Sequence, residues 1–225
     1  MSKDSAESSL GLIPEITVQR LFDERHETLH LEVLNPDIDL DRPVSNPDLS
    51  SPGIALMGYT ERFASDRIQV FGETEIAYLR GLTSEERRER VKGVFSFGIP
   101  VVFVTKGLEL PDGLLEVAAE CSIPVLRSDL STKDFYRHIK PYLDAVLAPR
   151  TNVHGSLADV YGVGLLFVGD SGVGKSECVL DLVERGHRLV ADDHIIVSRR
   201  GPDILLGQGH QLQAHHMEIR GLGII

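Results

Sequence analysis

The sequence predicts an α/β protein built from two domains. Three observations carry this. Strand-like and helix-like segments alternate between residues 94 and 130. An apolar strand at 164–168 runs into the glycine-rich loop "GDSGVGKS", and a helix at 176–185 follows it. Apolar residues make up 42% of a 225-residue chain, enough for a sizeable core in one large domain or two small ones.

Taken in chain order, residues 1–11 are polar and expected to fray. "IPEITVQRLFDE" reads as a short amphipathic helix with Ile16, Leu21 and Phe22 as its apolar contacts. "LHLEVL" alternates like a strand. "NPDIDLDRPVSNPDLSSPG" holds four prolines among Asp, Asn and Ser residues and reads as a loop. "IALMGYTERFASDRIQVFG" mixes apolar and polar positions and carries no clear period. A helix then starts at an N-cap, Thr83 or Ser84, has acids in its first turn, and ends near Gly93. "IPVVFVT" is a buried strand, "PDGLLEVAAECS" a helix and "IPVLRS" another strand. "STKDFYRHIKPYLDAVLA" is a helix expected to break or bend at Pro141. "APRTNVHG" marks the boundary, giving an N-terminal α/β domain at 1–147 and a second domain at 148–225.

Composition removes several function classes. The net charge of −11 argues against a nucleic-acid surface. Cys121 and Cys178 fit neither a disulfide framework nor a zinc spacing. The N-terminus has no apolar core of a signal peptide. No run approaches the roughly 18 apolar residues of a membrane span. A cytoplasmic protein is expected. "EERRERVK" is balanced by its own glutamates and reads as a solvated helix face. "GHQLQAHH" lacks a zinc pattern and reads as a surface loop.

The chemistry concentrates in the second domain. Gly169, Asp170, Ser171, Gly172, Val173, Gly174, Lys175 and Ser176 match the phosphate-loop pattern G-x-x-x-x-G-K-[ST] at every fixed position. Glycines there permit positive φ and let backbone N–H groups close around phosphate oxygens. The helix N-terminus adds its partial positive charge. Lys175 is placed to reach terminal phosphates, and the Ser176 hydroxyl to bind the Mg2+ that accompanies them. "HRLVADDH" is the next strand and ends in Asp192 and Asp193. One of these acids can hold the metal, and the other can accept a proton from an incoming hydroxyl. His154, read by itself, is a lone histidine whose ordinary role is structural. Glu218 and Arg220 lie in a glycine-flanked strand, where a bulge with exposed charges stands beside a site role.

Together "VHGSLADVYGVGLLFVGDSGVGKSE", "ERGHRLVADD" and "MEIRGLG" resemble the bacterial HPr kinase/phosphorylase family in order and spacing. A phosphate loop alone is weakly specific, whereas "MEIRGLGI" is that family's signature. The resemblance is strongest over 150–225 and is carried in the first half by length and general α/β pattern. It implies a phosphoenolpyruvate-carboxykinase-like kinase domain. The implied reaction phosphorylates a serine of HPr, the phosphocarrier of sugar transport, with ATP or pyrophosphate as donor. It also runs in reverse, inorganic phosphate attacking phosphoserine to give pyrophosphate. A homohexamer is implied as well. Carried over by position, His154 and Lys175 match active-site residues, and Ser176 and Glu218 match magnesium ligands. Asp193 matches the proton acceptor and donor, with Asp192 as the second candidate. The family pattern runs on past "RGLGII" to a further active-site arginine and a dephosphorylation segment, so this chain is expected to carry the catalytic domain in part. Two other readings stay open at this stage: a small-molecule phosphate-loop kinase or NTPase, and a nucleotide-binding sensor without catalysis.

Overall fold

The computed structural model describes residues 14–201, 203–209, 218–219 and 223–224. The expectations for residues 1–11 and for the histidine-rich 210–216 lie outside the described residues. The chain is mixed α/β and forms two compact units, one spanning Pro14–Leu147 and one beginning at Ala148.

The first unit opens with β1 (Ile16–Thr17), α1 (Val18–Leu29), β2 (Leu31–Val33), β3 (Pro43–Val44), β4 (Leu49–Ser50) and α2 (Gly53–Leu56). It continues with β5 (Ile68–Phe71), α3 (Glu73–Arg80), α4 (Ser84–Phe95), β6 (Val102–Val104), α5 (Leu114–Glu120), β7 (Val125–Ser128) and α6 (Thr132–Val146). Five strands make one sheet in the order β2-β7-β6-β5-β4. Strands β4 to β7 are parallel, and β2 closes the edge antiparallel to β7.

A parallel sheet needs cover on both faces, which explains why Val102, Phe103 and Val104 are all fully buried without alternation. On one face, α1 and α6 bring Leu21, Phe135 and Ile139 against Val70, Phe103 and Leu126. The Phe103 and Phe135 ring centroids lie 5.0 Å apart. On the other, α2 to α5 bring Leu56, Leu79, Phe95 and Val117 against Phe71, Val102 and Val125. Each such large side chain contributes roughly 1.5–3 kcal/mol by leaving water.

Local chemistry fixes the helix starts. Thr83 caps α4, accepting from the Glu86 amide, while Glu86 reaches back to the Thr83 amide at 3.0 Å. Ser131 caps α6 through the Asp134 amide at 3.1 Å.

Four features of this unit differ from the sequence-based expectations. Helix α1 starts only at Val18, because Thr17 caps it and Ile16 pairs with Val44 in β1–β3. The proline-rich stretch read as a loop contains β3 and β4, each two residues long. Helix α4 runs two residues past Gly93, to Phe95, whose side chain is buried. Helix α6 runs through Pro141 without a break. Its buried face of Phe135, Ile139, Tyr142 and Leu143 holds it in place, and the Arg137 carbonyl left without a donor belongs to an exposed residue.

The second unit contains β8 (Arg150–Val160), β9 (Val163–Phe167), α7 (Lys175–Glu184), β10 (Arg188–Arg200), β11 (Ile204–Gly209), β12 (Glu218–Ile219) and β13 (Gly223–Ile224). Strands β11-β10-β8-β9 form an antiparallel sheet, and β12 pairs with β13. Helix α7 lies on the sheet through Val179, which meets Ala158 in a small buried cluster. Among the described residues, no helix is long and apolar enough to cross a membrane.

Candidate active site

The site is built from three neighbouring pieces of the second unit. Strand β9 delivers the chain into the glycine loop at 169–174. Gly169, Gly172 and Gly174 all have positive φ (154°, 86° and 95°), which is why glycine occupies these positions. Gly174 is the N-cap of α7, so Lys175 and Ser176 are the first two helical residues. Lys175 Nζ donates to the carbonyls of Gly169 at 3.1 Å and Asp170 at 2.9 Å.

Strands β8 and β10 bring the rest together. Their antiparallel register sets Asp192 opposite Ser156, Asp193 opposite Gly155 and His194 opposite His154. Ser156 is 1% exposed and donates its hydroxyl to Asp192 Oδ1 at 2.5 Å. The same carboxylate accepts longer bonds from Ser176 Oγ, at 3.4 and 3.3 Å. Asp192 therefore links the sheet to the helix that follows the phosphate loop.

Asp193 is held differently. His154 Nδ1 lies 2.9 Å from its Oδ1, and His194 Nε2 lies 3.5 Å from its Oδ2. Its backbone is left-handed, with φ 74° inside a strand. Aspartate visits that region more readily than most residues, yet it does so at some cost. Gly155, directly opposite, has a separate reason to be glycine: a Cβ there would collide with the Phe167 carbonyl oxygen of β9. This close approach draws β9, and the loop after it, against the His154 segment.

One cavity of about 330 Å³ collects these groups, with His154, Ser171, Lys175, Ser176, Asp192 and Asp193 in its wall. The sequence-derived candidates His154, Lys175, Ser176, Asp192 and Asp193 thus meet in one place, together with Gly172 and Gly174 of the loop. Gly169, Asp170 and Val173 lie in the same loop, Gly169 and Asp170 holding Lys175 through their carbonyls. The backbone of Glu218 is in β12, and its side chain lies outside the described residues, as do Met217 and Arg220. Sequence reasoning missed Ser156 and His194. Their signal is the pairing of two strands about forty residues apart, which no local spacing displays.

The oxygen-rich, cation-bearing wall suits a phosphoryl group and a hard divalent cation. Among the described residues, no cluster of three or more His, Cys, Asp or Glu side chains forms a self-sufficient metal cage.

Comparison with known proteins gives two family matches. Residues 16–143 match the HPr Serine kinase N terminus, and residues 145–225 match the HPr Serine kinase C-terminal domain. The HPr kinase/phosphorylase of Bacillus cereus (strain AH820) is 44% identical over 199 residues, 88% of this chain and 64% of its own length. That of Bacillus anthracis (strain A0248) is 43% identical over the same span. The chain therefore spans 64% of the length of these curated relatives. The solved HPr(Ser) kinase/phosphatase from Coxiella burnetii is 33% identical over 33% of this chain and 49% of its own, with a TM-score of 0.32.

Proposed function

The chain belongs to the HPr serine kinase family, and from that premise we propose that its second unit transfers a phosphoryl group between a nucleotide or pyrophosphate and a serine hydroxyl of HPr. The observation that carries the proposal is Asp193. Its carboxylate shares one cavity with the phosphate loop and is oriented by His154 at 2.9 Å.

The donor's phosphates lie in the loop at 169–176, where backbone N–H groups and the Lys175 ammonium receive their charge. On phosphate entry Lys175 Nζ leaves the carbonyls of Gly169 and Asp170 for the phosphate oxygens. Ser176 Oγ, aligned by Asp192, and Glu218 are the residues that would hold Mg2+. When bound, the cation screens the phosphate charges and stabilises the charge that develops during transfer. Asp193 Oδ2 takes the proton of the attacking serine hydroxyl as the new P–O bond forms and the bond to the leaving phosphate breaks. His154, on Oδ1, keeps the carboxylate turned toward the incoming hydroxyl.

The reverse direction uses the same atoms. Inorganic phosphate attacks phosphoserine, pyrophosphate forms in the loop, and protonated Asp193 returns its proton to the departing serine oxygen. The homohexamer and the cytoplasmic location implied by the family belong to this reading too, and light scattering on the purified protein tests the first.

The deciding experiment is a transfer assay with labelled Mg-ATP and purified HPr, using a chain extended to the relatives' full length. Asp193→Asn should lower transfer in both directions by about 10²–10⁴-fold, the usual worth of a positioned general base, with Mg-ATP affinity nearly intact. ATP hydrolysis without transfer to HPr would replace this reading with a small-molecule NTPase. Nucleotide binding without any turnover would replace it with a sensor.

A further inference from the structure

The Pro14–Leu147 unit has a crevice that the reaction at the phosphate loop does not use. The chain leaves β5 into α3 and β6 into α5, both on one face of the sheet, but leaves β7 into α6 on the other. Adjacent parallel strands β6 and β7 therefore send their connections to opposite faces. Beyond the carboxyl ends of strands at such a switch point, an open α/β sheet leaves room for a ligand. A cavity of about 470 Å³ lies there, walled in part by Thr74, Lys106, Ser131, Thr132, Lys133 and Tyr136. Small-molecule sites typically measure roughly 300–1,000 Å³.

We propose that this cavity binds a small organic carboxylate through Lys106. The ammonium of Lys106 already holds a carboxylate, that of Glu73, at 2.6 Å. Glu73 is 67% exposed at its side chain, so the pair faces solvent and an incoming carboxylate can take the same place. Lys106 itself is well anchored. Its amide donates to the Leu130 carbonyl at 2.7 Å, and the Gly107 amide donates to Ser128 at 2.8 Å, tying the end of β6 to the end of β7. Lys133 makes no ion pair among the described residues and supplies a second positive charge to the wall.

The remaining lining fits the body of such a molecule. Thr74 offers a hydroxyl, and Tyr136 offers a half-buried ring and a phenol. Burial, with the Glu75 charge adding to it, raises the Tyr136 phenol above its usual value. Glu75 does not compete for Lys106, because its two oxygens are taken by the Gly72 amide at 2.9 Å and by the Ser51 hydroxyl. Among the described residues no arginine lines the cavity, and the one glycine that does, Gly72, has φ −104°. The cavity thus lacks both the guanidinium fork and the left-handed glycine cradle that favour phosphate chains, and two lysines suit one or two carboxylates.

The test is an amide-shift titration of the ¹⁵N-labelled chain with malate, beside inorganic phosphate at matched ionic strength. Malate should give saturable shifts centred on Gly72, Lys106 and Thr132. Lys106→Gln should weaken that binding at least tenfold. Glu73→Gln removes the competing carboxylate and should tighten it several-fold. Both variants should keep the dispersed amide spectrum of the Pro14–Leu147 unit, which shows that they fold. Absence of saturable shifts, equal malate affinity in Lys106→Gln, or phosphate binding there as tightly as malate would overturn the proposal.

Discussion

Ser156 donates a buried hydroxyl to Asp192 across the β8–β10 pair, and the same carboxylate reaches Ser176 at the start of α7. The aspartate beside the phosphate loop is therefore aimed by a residue on a different strand. A hydrogen bond to a charged group is worth roughly 1.5–3 kcal/mol. Ser156→Ala should accordingly weaken Mg-ATP binding by about tenfold or more, with little effect on metal-free ATP. Ser156→Thr, which retains the hydroxyl, should recover most of the loss. Calorimetry with and without Mg2+ measures both, and equal Mg-ATP affinities in wild type and Ser156→Ala would show that the bond does not aim Asp192.

Asp193 carries a backbone cost along with its chemistry. At φ 74° a β-branched residue is strained by roughly 1–2 kcal/mol, whereas asparagine tolerates this region about as well as aspartate. Asp193→Asn keeps an acceptor for His154 but loses the charge, and Asp193→Val loses both, at an exposed pair worth little to stability. Asp193→Val should nevertheless unfold at lower denaturant than Asp193→Asn, by about that difference. Coincident denaturation midpoints would mean that the strand relaxes freely at this position.

The Pro14–Leu147 unit buries two clusters of its own, one on each face of its sheet. A unit with its own core should fold alone. Limited proteolysis between residues 148 and 155 should release a stable fragment, and that fragment should unfold in one cooperative transition. Loss of the fragment to further digestion would show that the unit depends on the rest of the chain.

Tyr142, 5% exposed beneath the Arg25 guanidinium, has its phenol pushed up by burial from 10.0 to about 12, with the nearby Glu24 carboxylate adding to the effect. A group raised on folding contributes stability that is complete below its unfolded value, here about 10, and lost as pH rises through the folded one. Stability should therefore decline between pH 10 and about 12. Tyr142→Phe should flatten that decline relative to wild type in urea melts taken across the window. Parallel curves for the two proteins would exclude Tyr142 as the source.

The phosphate loop is legible in the sequence because its demands are local: positive-φ glycines, a helix start, and a lysine and serine at fixed offsets. Asp192 and Asp193 are legible as an acid pair on the strand after the loop, but not in their place on it: β10 runs on to Arg200, so the pair sits inside the strand and not at its end as the sequence suggests. The contact of His154 with Asp193 is not legible, because it depends on a register between β8 and β10 that only pairing establishes. Ser156 is invisible for the same reason. In the first unit, the alternating pattern from 94 to 130 corresponds to β6, α5 and β7. Helix α3 escapes the sequence because eight residues carry too little period to stand out, and β3 and β4 because two-residue pairings leave no pattern. Pro141 misleads because the apolar face of α6 outweighs a local helix-breaking preference.

The register of β8 against β10 also determines where the chain can change length. Side chains alternate across a strand with a period of two, so one residue added between His154 and Ser156 would turn one of them away from its partner. The hairpin tip joining β8 to β9 has no such constraint. Tyr161 stands 92% exposed there and Gly162 has φ 84°, so an extra residue is absorbed without moving either strand. Related chains should accordingly vary in length at Tyr161–Gly162 and keep a fixed count from His154 to Ser156, a pattern of gaps that an alignment would display before any assay is run.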